Sequence, residues 1–130
     1  MLLIKASVGP SKIQGLGIIA RAFIPKGTVV WRFTPQFDMI FDKDSLALLT
    51  ELQKDTVLHY TYLNKKTKKY TLCCDDARFF NHSENPNTIC VDTDNDEEGL
   101  DVAARDIPEG EELTCNYDDF DMEAFKKLHR

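Results

Sequence analysis

The sequence predicts a mainly β domain with one short internal helix and a helical C-terminal tail. Short apolar runs rich in β-branched and aromatic residues are divided by Gly and Pro turns along most of the chain. Helical spacing of apolar residues recurs in two stretches, one internal and one at the end. A chain of 130 residues with 42% hydrophobic content is the size of one domain and can bury a core, so residues 1–130 are read as a single unit.

Met1 to Val8 reads as a first strand. The stretch "IQGLGIIARAFIPKGTVVWRF" then places short apolar runs around two Gly-centred turns, with Pro25-Lys26-Gly27 suited to a tight turn and Thr28 to Phe33 to a strand. In "DKDSLALLTELQKD", Leu46, Leu49 and Leu52 follow an Asp/Ser-rich start, which predicts an amphipathic helix of about ten residues, the only internal one. "HYTYLNKKTKKYTLCC" alternates in strand fashion about an Asn-Lys-Lys turn, and "NTICVDT" and "LDVAARDI" form a hairpin joined by the acidic loop "DNDEEG". In the tail, Met122, Phe125 and Leu128 lie three apart, with acids early and bases late, as suits a helix dipole.

A formal net charge of −6 argues against nonspecific nucleic-acid binding, which needs a basic surface, and suits a Lys- or Arg-rich peptide as partner. The four cysteines, Cys73, Cys74, Cys90 and Cys115, contain no CxxC pair and read as reduced core residues. The opening apolar run is short for a signal peptide, and no membrane-length apolar run exists, so the expected location is cytoplasmic or host-intracellular. Asn81-His82-Ser83 matches a glycosylation sequon, which without a secretory signal is read as chance. Asp92, Asp94 and Asp96 alternate like calcium ligands, but Glu97 stands where an EF-hand needs Gly and Ala103 where it needs a bidentate Glu.

"RFFNHSENPN", from Arg78 to Asn87, has an ordinary reading as a strand end followed by a turn. Taken with "GLG" at Gly15 to Gly17 and "GEELTCNYDDF" from Gly110 to Phe120, it carries more. Together these resemble the SET domain, the family of S-adenosylmethionine-dependent protein lysine methyltransferases. The resemblance implies a β-clip of several small curved sheets, in which the segments carrying Asn81 and Tyr117 interlock in a pseudoknot. It assigns cofactor contacts to Gly15, Leu16, Gly17, Asn81, His82, Tyr117 and Phe120, and catalysis to Tyr117. A lysine channel of Tyr60, Tyr62, Cys115 and Tyr117 is implied, although an ordinary strand with alternate tyrosines accounts for Tyr60 and Tyr62 equally well.

Methyl transfer to a lysine amine is an in-line displacement, so the protein must align the amine, exclude water and keep the amine neutral. Aromatic walls serve all three needs. No Cys follows Phe120, so the zinc-binding closing segment of larger members is missing and no metal is expected; the tail helix, a second subunit or the substrate closes the channel. Cys115 stands two before the tyrosine, where relatives often hold Phe or Tyr, and its small thiol leaves room for more than one methyl. A cysteine-nucleophile enzyme finds no activated-thiol motif here. A SET-like binding module without activity stays open. The partners expected are a protein or basic, histone-like peptide with a target lysine, and a second copy of the chain; nucleic acid and membrane are not. The location becomes nuclear if the chain is an effector.

Overall fold

The computed structural model describes residues 1–129. In chain order its strands are β1 (Ala6–Pro10), β2 (Leu16–Ala20), β3 (Val29–Arg32), β4 (Met39–Phe41), β5 (Thr61–Leu63), β6 (Tyr70–Leu72), β7 (Asn81–His82), β8 (Thr88–Thr93), β9 (Asp96–Ala103) and β10 (Glu112–Cys115). Helices α1 (Lys43–Ala47) and α2 (Glu51–Tyr60) lie between β4 and β5, and α3 (Ala124–Leu128) closes the described chain. The strands form three small sheets of order β1-β2-β10-β7, β3-β9-β8 and β4-β6-β5.

Apolar side chains from the first two sheets meet in one core of Ile18, Ala20, Ile24, Val30, Ala103, Ile107 and Leu113, against which Phe79 and Phe80 pack. Trp31, Cys73 and Ala77 form a second, smaller cluster, also touching Phe80. Phe79 and Phe80 thus anchor the segment that follows them. β7 then runs parallel to β10, with Asn81 opposite Thr114 and His82 opposite Cys115. Asn87, 2% exposed, fastens the crossing: its Oδ1 accepts from the Thr114 amide at 2.8 Å and its Nδ2 donates to the Glu112 carbonyl at 2.8 Å. An Asn here replaces missing ladder bonds with side-chain ones.

Six expectations are corrected. The first strand starts at Ala6, because residues 1–3 lie against β3 instead: Leu2 bridges Trp31, the Leu3 amide donates to the Val30 carbonyl at 2.9 Å, and the Met1 ammonium and Leu2 amide also reach Asp38 and Asp75 at 2.8 and 2.7 Å. The single internal helix is two. Thr50 and Gln53 make a capping box that starts α2 afresh, which leaves Leu48 and Leu52 exposed. α2 also continues through His59 and Tyr60, so the strand begins only at Thr61. In the tail, Ala124 rather than the Met122, Phe125 and Leu128 series is buried. Two ion-paired and hydrogen-bonded contacts of Lys127, to Asp121 and the Thr61 carbonyl, hold α3 down. Cys74, read as a core residue, is exposed, whereas Cys73 and Cys115 are buried.

The acidic loop is shorter than expected, since Asp96, Glu97 and Glu98 belong to β9. Within β9 the register against β8 shifts between Val91 and Thr93, beside Gly99 at φ +70°. A Cβ on Gly99 would lie 2.9 Å from the Val91 carbonyl oxygen. Glycine is required here on both counts. Gly99→Ala is expected to destabilise the fold by about 1–3 kcal/mol, measured as a lower urea midpoint with unchanged slope; a variant as stable as the parent would remove the bulge from this account.

Candidate active site

Between the sheets lies a cavity of about 360 Å³. Its rim carries Gln14, Gly15 and Leu16 from the β1–β2 turn, its walls Tyr60, Tyr62, Tyr117 and Phe120, and its floor Trp31, Cys90 and Asp101 from β3, β8 and β9. A volume of this size holds a small molecule or a side chain.

The rim is positioned by Asn81. Its Nδ2 lies 2.9 Å from the Leu16 carbonyl, 2.8 Å from Glu112 Oε1, 3.1 Å from Ser11 Oγ and 3.2 Å from the Gln14 carbonyl. Two hydrogens thus serve an excess of acceptors, and the amide can only be a donor in this place. Behind it, a Cβ on Gly17 would come 2.0 Å from Glu112 Oε1, so Gly17 gives Asn81 and Glu112 their room. Gly15 takes φ +51° with open space beside it.

Tyr117 enters the cavity from the turn after β10. Its amide donates to His82 Nδ1 at 3.1 Å and its hydroxyl donates to the Phe80 carbonyl at 2.5 Å. Burial, with the Cys115 and Asp121 side chains adding to it, pushes the Tyr117 hydroxyl above its usual range. It therefore stays protonated at any physiological pH and positions groups rather than taking protons. Phe120 packs edge-on against Tyr62, with ring centres 5.0 Å apart, and against Tyr117 at 6.2 Å. The Tyr62 hydroxyl donates to Glu98 at 2.7 Å, and that carboxylate also accepts from Asn64 Nδ2 and from Thr71 Oγ1 at 2.8 Å. Desolvation, then Glu98, raises the Tyr62 phenol well above its usual range. Tyr60, at the end of α2, stays 42% exposed under the Arg78 guanidinium, 5.2 Å from its ring centre.

Of the residues expected at the site, Gly15, Leu16, Tyr60, Tyr62, Asn81, Tyr117 and Phe120 line this one cavity. Gly17, His82 and Cys115 stand behind its wall: Gly17 faces Asn81 and Glu112, His82 braces Tyr117, and Cys115 is buried in β10. Sequence reasoning missed Trp31, Glu98 and Asp101. The signal for the two acids was Gly99, since a bulge between them resets the alternation that would otherwise send Glu98 and Asp101 to opposite faces. Asp101 keeps some water contact through the cavity, yet protein encloses it on nearly all sides, and this desolvation raises its carboxyl to about 7.

Three small sheets, the first closed by the parallel β7–β10 pair, with a tyrosine-walled cavity between them, define the SET architecture. The SET domain model matches residues 15–118, and the chain belongs to that family. It is 31% identical over 115 residues to the human protein Histone-lysine N-methyltransferase 2D, and equally to its mouse counterpart; the match covers 87% of this chain, which spans 2% of the length of those relatives. Among solved structures, the Chaetomium thermophilum Polycomb Repressive Complex 2 bound to GSK126 superposes with TM-score 0.69 at 23% identity, over 97% of this chain and 17% of that one. A Plasmodium falciparum candidate histone methyltransferase superposes with TM-score 0.58 at 16% identity, over 89% of this chain and 95% of its own. These structural likenesses carry the fold.

Proposed function

We propose that this chain is an S-adenosylmethionine-dependent protein lysine N-methyltransferase. The observation that carries the reading is the Tyr117 hydroxyl, fixed on the Phe80 carbonyl inside a cavity that is aromatic on one side and bordered by the Asn81-held turn on the other. When bound, S-adenosylmethionine supplies an activated, slightly positive methyl group. Oxygen atoms of Tyr117 and Phe80 suit such a group through weak C–H···O contacts, and Gly15 lets a ligand approach the backbone. Tyr62, Phe120 and Tyr117 exclude water from an entering lysine and favour its neutral amine by desolvation. The net charge of −6, with Asp118 and Asp119 exposed directly after Tyr117, favours a basic, histone-like peptide as substrate.

The test is labelled methyl transfer from S-adenosylmethionine to an array of histone-tail and other basic peptides. Transfer to lysine supports the reading, and cofactor binding without transfer to any peptide or lysate protein would favour a binding module instead. Calorimetry with metal analysis should find cofactor binding without stoichiometric zinc.

The tail gives a further expected result. Phe120, Asp121 and Lys127 line the cavity, and Asp121 Oδ1 also accepts from the Leu63 amide at 3.1 Å. Truncation after Asp119 should abolish transfer while the far-ultraviolet β signal largely remains, because the main core lies in the first two sheets. Full activity of the truncated protein would show that the tail does not build the site.

A further inference from the structure

The floor of the cavity has a feature that alignment and water exclusion do not use. Trp31, Asp101 and Cys90 stand directly across from one another on β3, β9 and β8, a row that lines one end of the cavity. Among the described residues, the Asp101 carboxylate has no hydrogen-bond or ion-pair partner. The indole N–H of Trp31, its cross-strand neighbour, is buried and also unpartnered, so it is not used to hold that carboxylate. Glu98, three residues away in the same cavity, is by contrast saturated by Tyr62, Asn64 and Thr71. One acid is structural; the other is left free.

We propose that Asp101 is the proton acceptor that converts the bound substrate ammonium to the neutral amine. The inference rests on the methyltransferase reading above. The proton leaves the lysine Nζ for an Asp101 carboxylate oxygen, giving a neutral carboxyl and a neutral amine. The amine lone pair then forms the N–CH3 bond while the S–CH3 bond breaks, its electron pair staying on sulfur. The product is a methylammonium and a neutral thioether.

The neighbours of Asp101 fit this part. Cys90 from β8, Cys73 after β6 and Cys115 from β10 face it, and their thiols are all raised by burial, Cys90 to about 12, so they remain protonated. Tyr62 and Tyr117 remain protonated as well. The Met1 ammonium is the positive group that acts on Asp101, and it lowers the carboxyl slightly against the dominant desolvation. A carboxyl at about 7 is matched to proton transfer near neutral pH. His59 also lines the cavity, at the rim beside Tyr60.

The linkage has a definite sign. A carboxyl raised in the fold from 3.8 to about 7 costs stability that grows as pH rises from about 4 and levels off above 7. Asp101→Asn should therefore raise the melting temperature at pH 8 and leave it nearly unchanged at pH 4. The same substitution should lower kcat at least tenfold at pH 8, on the histone-tail peptide that the parent methylates fastest. A residue that only packs the cavity would not gain stability and lose turnover together.

The decisive readout is the pH profile of kcat/KM from pH 6 to 10, which reports the groups of the free enzyme. The parent should rise and bend near pH 7, His59→Gln should keep that bend, and Asp101→Asn should climb without it as the lysine itself deprotonates. Carbon-13 NMR of the parent carboxyls should independently find Asp101 titrating near 7. A value near 4, or an unchanged profile in Asp101→Asn, overturns the proposal and leaves the methyltransferase reading standing. A parent that transfers no methyl group overturns both.

Discussion

Tyr117→Phe is expected to lower turnover about a hundredfold while cofactor affinity and fold remain close to those of the parent. The substitution deletes one oxygen and keeps the ring, so the edge contacts with Phe120 and the packing against His82 persist. What is lost is the hydrogen bond to the Phe80 carbonyl, which costs about 1 kcal/mol of stability. That bond fixes the hydroxyl where the methyl group and the amine must line up, and misalignment by about an ångström costs on the order of a hundredfold in rate. Because the Tyr117 hydroxyl is held protonated by burial, the loss should be the same from pH 6 to 9. Single-turnover methylation with calorimetry of S-adenosylmethionine binding separates the two effects. A variant that transfers as fast as the parent would move the aligning role to Tyr62, and one that fails to bind cofactor would make Tyr117 a binding residue.

Much of this arrangement was legible where local chemistry and final role coincide. "GEELTCNY" and "RFFNHSENPN" carry the β7–β10 pairing because Phe79, Phe80, Asn81 and Asn87 are each specified by the crossing itself. The division of α1 from α2 was written as Thr50-Glu51-Leu52-Gln53, a capping box hidden inside a leucine period that runs straight through it. The third leucine of that period, Leu52, ends up exposed because the restarted helix α2 turns its Lys54, Val57 and Leu58 side inward, and periodicity alone cannot say which face will be covered. His82 and Cys115 read as ligand contacts because their positions match a motif; in the fold, His82 serves Tyr117 through its backbone amide, a partnership between residues 35 apart in sequence. Asp101 was half legible: Gly99 marks the bulge that resets its face, but its isolation there is a missing partner, which has no sequence signature.

Asn81→Asp is expected to be the most damaging single-atom exchange in the site. The native amide nitrogen faces the Leu16 and Gln14 carbonyls, Ser11 Oγ and Glu112 Oε1, and Ser11 Oγ itself donates to both oxygens of the Glu112 carboxylate at 2.9 Å. An aspartate brings no donor to this cluster and sets a second carboxylate against the first, at a position only 9% exposed. Removing a buried donor leaves its acceptors unpaired at about 1–3 kcal/mol, and the like charge adds to this, so a total on the order of 3–5 kcal/mol is expected at pH 8. Asn81→Ala, which loses the donor and adds no charge, should cost less. The new carboxyl is raised in the fold by Glu112 and by burial, so its penalty is absent below the unfolded value near 4 and grows as pH rises towards its folded value. The two variants should therefore converge in melting temperature near pH 4 and separate steadily above it, after the parent's own pH dependence, including that of Asp101, is subtracted. Cofactor affinity should fall in both, since the Gly15–Leu16 turn loses its tether. Equal stability of the two variants at every pH would mean that Glu112 does not face residue 81 as a carboxylate, and unchanged cofactor affinity would detach the turn from the binding site.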